Sequence, residues 1–299
     1  MDLILVSDIA ISLITVIWLF FATIQDIKKR EVANWLSFSL IIIALGIRAI
    51  ASIISSKPYY FLFGIGMTAI FFGVANILYY SRVFAGGDAK LLTALAAAFG
   101  TSPVFINRQM DSLYYLIPFK IPFLATFMVN TLFVGSVYGL AFSIALSIRH
   151  FTKFKKEFFI VVNQNKKKGV VFIIAGIGVL ALNSTLLYNE ISIRIFTILL
   201  LVFPFLFAYV KAVENACMIA VVQPSKLTEG DWIVEPVKIG KKTIEPRFDG
   251  LTINEIEMIK KAKKNVVIKN GIPFVPVFFI SLILSLFVDV LRFILIMFT

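Results

Sequence analysis

The first long apolar run of the chain ends in Phe20-Phe21-Ala22-Thr23-Ile24-Gln25-Asp26-Ile27-Lys28-Lys29-Arg30, where apolar residues give way to a carboxylate and three cations. A helical run of about 20 apolar residues crosses a hydrocarbon core roughly 30 Å thick. Such runs recur along the 299 residues, of which 60% are hydrophobic and only 15% are charged. The alternating segments of about ten residues that mark a transmembrane barrel are not seen. The sequence therefore predicts an all-α polytopic membrane protein.

We expect about eight membrane-spanning helices. The fourth is interrupted by Gly100 and Pro103, and both residues disfavour a continuous helix. The expected spans are residues 3–24, 35–55, 60–81, 89–106, 121–148, 169–188, 191–210 and 272–298.

Lysine and arginine predict the orientation of these spans, because cytoplasmic loops carry an excess of both. With the amino terminus outside, the cytoplasmic segments hold 23 of the 29 Lys and Arg residues. This asymmetry accounts for the net charge of +12 without nucleic acid. We expect a multi-pass protein of the cytoplasmic membrane. The expected cytoplasmic segments are 25–34, 82–90, 149–168 and 211–271.

The only sizeable polar region, 223–271, predicts a small cytoplasmic α/β module. Trp232–Val237 and Val266–Ile268 have the composition of strands, and 238–241 has that of a turn. Thr252 and Glu255 have capping-box spacing, which opens a helix through about residue 264. The expected domains are a transmembrane helical domain at 1–222, the module at 223–271, and a final transmembrane helix at 272–299.

Residue usage limits the chemistry that this chain supports. A single cysteine, Cys217, excludes an intrachain disulfide and multi-cysteine metal sites. A single histidine, His150, excludes paired-histidine zinc motifs. We therefore expect no metal and no cofactor. Among common hydrolytic groups, carboxylates remain, and Asp26 and Asp88 both fall at the cytoplasmic ends of predicted spans.

Asp26 and Asp88 suit acid–base chemistry if the fold brings them together. Two close carboxylates share one proton, so that one activates water while the other polarises a carbonyl. Gly86 and Gly87 allow close approach and unusual dihedral angles beside Asp88. From spacing alone, structural ion pairs at helix ends remain an alternative.

Three segments resemble, in order, those of the type IV prepilin peptidases and especially the archaeal preflagellin peptidases. The resemblance covers roughly residues 15–100 and 225–280. The segments are Asp26-Ile27-Lys28-Lys29-Arg30-Glu31-Val32-Ala33-Asn34-Trp35, Gly86-Gly87-Asp88-Ala89-Lys90-Leu91 and Asn270-Gly271-Ile272-Pro273-Phe274-Val275-Pro276.

The resemblance implies an aspartic endopeptidase of the Gly-x-Gly-Asp type, with Asp26 and Asp88 as catalytic residues. Its substrate would be a pilin- or archaellin-like precursor with a short basic, class III-type leader. Membrane lipids would surround the enzyme. From the residues themselves, we expect Gly86 and Gly87 to shape the site, and Arg30 and Lys90 to anchor helix ends or tune the pKa of the neighbouring aspartate. The chain departs from the pattern at Ala85, where the first glycine is expected.

Two other functions fit the same residues. In a small ion-coupled transporter, both aspartates would bind a proton or an ion, although we see no internal repeat in the hydropathy. In an inactive relative that serves as a scaffold, Ala85 would mark the loss of activity.

Overall fold

The computed structural model describes residues 3–81, 83–109, 122–185, 191–240, 242–247 and 250–287. Helices dominate this part of the chain, and five of them are long and apolar enough to span a membrane. They lie in α1 (Leu3–Lys29), α2 (Asn34–Ser55), α3 (Tyr59–Tyr80), α6 (Phe123–Arg149) and α9 (Ile191–Cys217). A helical membrane protein with a small sheet region is therefore confirmed.

The remaining helices are shorter, less apolar or only partly described. They are α4 (Gly86–Phe99), α5 (Val104–Gln109), α7 (Phe151–Gln164), α8 (Lys166–Thr185), α10 (Ile253–Ala262) and α11 (Val275–Phe287). Helix α11 begins inside the predicted last span, whose residues after 287 lie outside the described ranges.

The predicted fourth span, 89–106, is not one helix, because α4 ends at Phe99 and α5 begins at Val104. Gly100 packs against α3 so closely that a Cβ there would lie 2.9 Å from the Gly64 Cα. Pro103 then restricts the backbone before α5. With its 14 residues, α4 is about 21 Å long, which is too short to cross the hydrocarbon core alone.

The chain divides into two compact units, which are residues 1–139 with 272–299 and residues 140–271. In the first unit, α4 packs against α2 and α3, while α1 packs against α2 and α11. All residues from Leu91 to Phe99 are buried, and four of them are alanines. Small side chains let helix backbones approach closely in membrane proteins, so α4 lies at the centre of this unit.

A buried arginine satisfies the carboxyl end of α4. Arg48 has no exposed surface, and its guanidinium donates to the carbonyl oxygens of Ala97 at 3.1 Å and Ala98 at 2.7 Å. It also donates to the Thr101 hydroxyl at 2.8 Å. Because the last carbonyls of a helix have no partner within the helix, Arg48 supplies donors where water is absent.

A second buried group lies beside Arg48. The Tyr60 ring stacks below the guanidinium, and its hydroxyl donates to Asp8 Oδ1 at 2.6 Å. Asp8 Oδ2 accepts from the Val104 N–H at 2.9 Å, at the start of α5. Both ends of the 100–103 break are thus tied to buried polar side chains.

In the second unit, α7, α8 and α9 pack together, and a sheet follows α9 directly. The sheet has the order β1 (Ile219–Val222), β5 (Val266–Lys269), β2 (Trp232–Ile233), and both pairings are antiparallel. A separate hairpin joins β3 (Val237–Ile239) to β4 (Lys242–Ile244).

The module was predicted in part. The capping box at Thr252 and Glu255 and the strand at Val266–Ile268 are confirmed. The predicted strand Trp232–Val237 is wrong as one element, because it breaks before Pro236, which has no N–H to donate. The predicted turn 238–241 begins too early, since β3 continues to Ile239 and the chain reverses at Gly240 with φ +58°. Strand β1 was not predicted.

Candidate active site

Asp26 lies in the last turn of α1, and only 6% of its surface is exposed. Its Oδ2 accepts a hydrogen bond of 2.9 Å from the backbone N–H of Val275, the first residue of α11. The first N–H groups of a helix have no partner within the helix, and a carboxylate there also meets the positive end of the helix dipole. The Asp26 segment and the Pro273–Pro276 segment therefore meet through this carboxylate.

Asp88 lies in the first turn of α4 and is half-buried. Ala85 precedes the helix in an extended conformation, with φ −72° and ψ 161°. The backbone N–H of Ala85 is near enough to the Asp88 carboxyl to lower its pKa.

The charge of Asp26 also affects the pKa of Asp88. Burial raises the pKa of the Asp88 carboxyl to about 7, the negative charge of Asp26 adds to this rise, and the Ala85 N–H opposes it. The influence of Asp26 requires the two carboxylates to be near each other, since screened charges act only over short distances. The first unit therefore brings together two aspartates that are 62 positions apart in sequence.

The two glycines before Asp88 act through their size. Both are helical, and neither has a positive φ, so the unusual dihedral angles predicted for them are not used. A Cβ on Gly87 would lie 3.2 Å from the Val32 Cβ, whereas one on Gly86 would have only an ordinary contact of 3.7 Å with Tyr79. Gly87 thus lets α4 approach the turn between α1 and α2.

Lys90 and Arg30 fix the ends of helices near the two aspartates. Lys90 Nζ donates to Asn34 Oδ1 at 2.7 Å, which joins α4 to the start of α2. Arg30 takes the left-handed conformation with φ 55°, and its N–H donates to the Asp26 carbonyl at 2.7 Å. Its side-chain charge also acts on the Asp26 carboxylate.

Sequence reasoning missed two groups at this site. Val275 contributes only its N–H, which no side-chain pattern reveals, although the Pro273–Pro276 segment belonged to the resemblance. Tyr138 of α6 lies within electrostatic range of Asp26 and Arg30. Tyr138 was hard to recognise from the sequence, because an aromatic residue in an apolar run usually indicates packing. In the described part of the chain, no three His, Cys, Asp or Glu side chains cluster as metal ligands do.

Comparison with known proteins adds independent information about this unit. The model of the type IV leader peptidase family matches residues 13–144, which include Asp26 and Asp88. The chain resembles the type IV leader peptidases. The resemblance inferred from its motifs is thereby confirmed over this segment.

A curated relative agrees with this match. Prepilin peptidase EppA of Methanothermobacter thermautotrophicus is 27% identical over 113 residues. The aligned part covers 38% of this chain and only 29% of the relative. No solved structure matches the chain.

Alanine substitutions at the two glycines test the packing at the start of α4. We expect Gly87→Ala to lower stability by about 1–2 kcal/mol relative to Gly86→Ala, because only the former overpacks against Val32. Gly86→Ala should be neutral or slightly stabilising, since alanine favours a helix. Thermal unfolding in detergent measures both variants. Equal midpoints would contradict the close approach at Gly87.

Proposed function

We propose that this protein is a membrane aspartic endopeptidase that removes a short basic leader from pilin- or archaellin-like precursors. The observation that carries the proposal is the electrostatic coupling of Asp26 to Asp88 at the start of a central helix. The family match over residues 13–144 supports a leader-cleaving peptidase. The aspartic mechanism, the leader class and the membrane face are our own inferences.

The proposed mechanism uses one proton shared by the two carboxylates. Near neutral pH, Asp88 carries this proton and Asp26 is ionised, because two close carboxylates do not both ionise easily. Asp26 takes a proton from water, and the resulting hydroxide attacks the scissile carbonyl carbon. Asp88 donates a hydrogen bond to the carbonyl oxygen as negative charge develops there.

The second half of the reaction returns the site to its starting state. The proton on Asp26 passes to the leaving amide nitrogen, and the C–N bond breaks. One product carries the new carboxyl group and the other carries the new amine. No covalent intermediate with the enzyme forms in this scheme. The Val275 N–H holds the Asp26 carboxylate, so this group is already in place before the attack.

The other four predicted site residues would assist by position. Gly86 and Gly87 keep the start of α4 narrow, so that an extended substrate backbone reaches Asp88. Lys90 anchors α4 on α2, and Arg30 ends α1 directly after Asp26. These roles place the rigid supports of the site on helix ends rather than on long loops.

The orientation and the eight membrane crossings are part of the same proposal, with α4 and α5 together making the broken fourth crossing. The end of α1 and the turn that follows it carry Lys28, Lys29 and Arg30, whereas the turn between α2 and α3 carries only Lys57 as a cation. By the excess of cations in cytoplasmic loops, the first turn is cytoplasmic and the amino terminus is outside. Cleavage would then occur at the cytoplasmic face, at the junction of a basic leader and a hydrophobic helix.

Removing either proposed catalytic carboxylate should abolish cleavage. We expect Asp26→Asn and Asp88→Asn each to lower kcat/KM for a leader-bearing pilin-like peptide by about 10²- to 10⁴-fold, because an amide serves as neither base nor acid. The double variant should be no worse than either single variant, since the pair acts as one unit. The assay uses purified protein in lipid.

Glu31→Gln is the matched control for these variants. Glu31 is an exposed carboxylate five residues after Asp26, and its loss should leave kcat/KM within about twofold. Near-normal turnover by either asparagine variant, with membrane insertion intact, would refute the aspartic mechanism. A precursor left uncut by the native protein, together with proton or ion uptake that depends on Asp26 and Asp88, would favour the transporter.

The pH profile tests the shared proton. Because burial raises the pKa of Asp88 to about 7, kcat/KM should fall as pH rises through that region and the pair loses its proton. The apparent value belongs to the pair. The same shift means that the folded state retains a proton that an unfolded Asp loses near 3.8, so stability should decline as pH rises between these values. A profile that is flat from pH 6 to 9 would exclude this assignment.

Cysteine labelling tests the orientation. After Cys217→Ser, we expect a cysteine in place of the exposed Lys57 to react with an impermeant thiol reagent added to intact cells. Cysteines in place of the exposed Lys29, Ile160 or Glu245 should react only after the cells are permeabilised. The opposite pattern would put the aspartates on the outer face.

A further inference from the structure

The second unit contains an apolar cavity of about 340 Å³ that the proposed peptidase reaction does not use. It lies between α8 and α9, where Phe172, Phe203 and Ala208 line its wall. At one end, Asn165, Lys166 and Lys168 line it at the junction of α7 and α8. The cavity is thus apolar along its length and basic at one mouth.

Gly169 and Pro204 both line this space. Gly169 has no side chain, and a Cβ there would lie 3.7 Å from the Pro204 Cβ. Pro204 lies inside α9, where it has no N–H to donate and weakens regular helix geometry. The rings of Phe172 and Phe203 are 5.2 Å apart and form one wall of the gap. The cavity therefore follows from the sequence of the two helices.

The cavity opens onto an exposed apolar surface of the same unit. Phe203, Phe205 and Phe207 are 48%, 54% and 46% exposed, and all three line the cavity. In a membrane helix, such side chains face hydrocarbon. The opening is therefore lined by side chains that suit an acyl chain.

The basic mouth adds a charge preference. Lys166 and Lys168 are exposed, and neither forms a salt bridge within the described ranges. They lie at the start of α8, where the helix dipole also favours an anion. Clusters of lysine at the membrane surface attract anionic headgroups.

We propose that this cavity binds an anionic phospholipid, with one acyl chain between α8 and α9 and the phosphate held by Lys166 and Lys168. The volume lies within the range of small-molecule sites, which is about 300–1,000 Å³. In the orientation proposed above, this end of α8 faces the cytoplasm, where anionic lipids give the leaflet its negative potential.

The first test measures the preference for an anionic headgroup. The full chain in detergent is titrated with dioleoyl phosphatidylglycerol, dioleoyl phosphatidylcholine or glycerol phosphate, and retained lipid is counted by native mass spectrometry. We expect phosphatidylglycerol to bind roughly tenfold more tightly than phosphatidylcholine, since each lysine near the phosphate adds attraction. Glycerol phosphate alone should not bind, because it lacks the acyl chains.

Matched variants locate the headgroup. The double variant Lys166→Gln with Lys168→Gln should lose most of the preference for phosphatidylglycerol. The control pair Lys155→Gln with Lys167→Gln removes the same charge from residues that do not line the cavity. This control variant should retain at least a third of the preference for phosphatidylglycerol, because exposed charges outside the cavity attract the headgroup less strongly than the lysines that line it.

A second pair of variants locates the acyl chain. Gly169→Leu adds a large side chain to the cavity wall beside Pro204 and should lower the affinity for both phospholipids at least fivefold. Gly178→Leu is the control, because it makes the same change in α8 where a Cβ would meet nothing within 4 Å. Leucine favours a helix over glycine, so neither variant is expected to unfold α8, and thermal unfolding of both checks this.

Four results would overturn the proposal. Equal affinity for the two phospholipids would contradict the preference for an anionic headgroup. Binding of glycerol phosphate alone would indicate a phosphate site without a lipid chain. Unchanged affinity in Gly169→Leu would place the lipid elsewhere. A dimer that persists in excess lipid and is dissociated by Gly169→Leu would show that a second copy of the chain occupies the cavity.

Discussion

The fold of the first unit depends on satisfying the ends of short helices where water is absent. Helix α4 lies at the centre of the unit, and its carboxyl end is buried. Arg48 donates to the carbonyls of Ala97 and Ala98 at this end. An unpaired backbone group in such surroundings costs several kcal/mol. A helix too short to cross the membrane is therefore stable only because side chains replace the missing partners.

The same constraint accounts for the position of the proposed catalytic pair. Helix α11 begins inside the unit, and its first N–H is satisfied by Asp26. Asp26 and Asp88 are thus each held at a helix start, where a carboxylate is the natural acceptor. An asparagine at either position keeps an acceptor oxygen but loses the acid–base chemistry. The two demands on these residues, which are to cap a helix and to exchange a proton, are therefore separable.

Much of this arrangement was predictable from the sequence, but not all of it. Long apolar runs identified the membrane class, and the spacing of Thr252 and Glu255 identified the cap of α10, because both signals are local. The break of the fourth run at Gly100 and the contact of Asp26 with Val275 depend on packing between distant segments. Strand β1 follows α9 with only Met218 between them, so hydropathy alone did not separate the strand from the helix. Backbone donors leave no mark in the pattern of side chains.

Ala85 is where the chain departs from the Gly-x-Gly-Asp pattern, and its backbone shows what this departure means physically. With φ −72° and ψ 161°, Ala85 occupies an extended region open to any L-residue. The position therefore needs no glycine for conformational reasons, and its N–H still reaches the Asp88 carboxylate. The steric demand falls instead on Gly87, which packs against Val32. A methyl group at position 85 is therefore no structural argument for an inactive site.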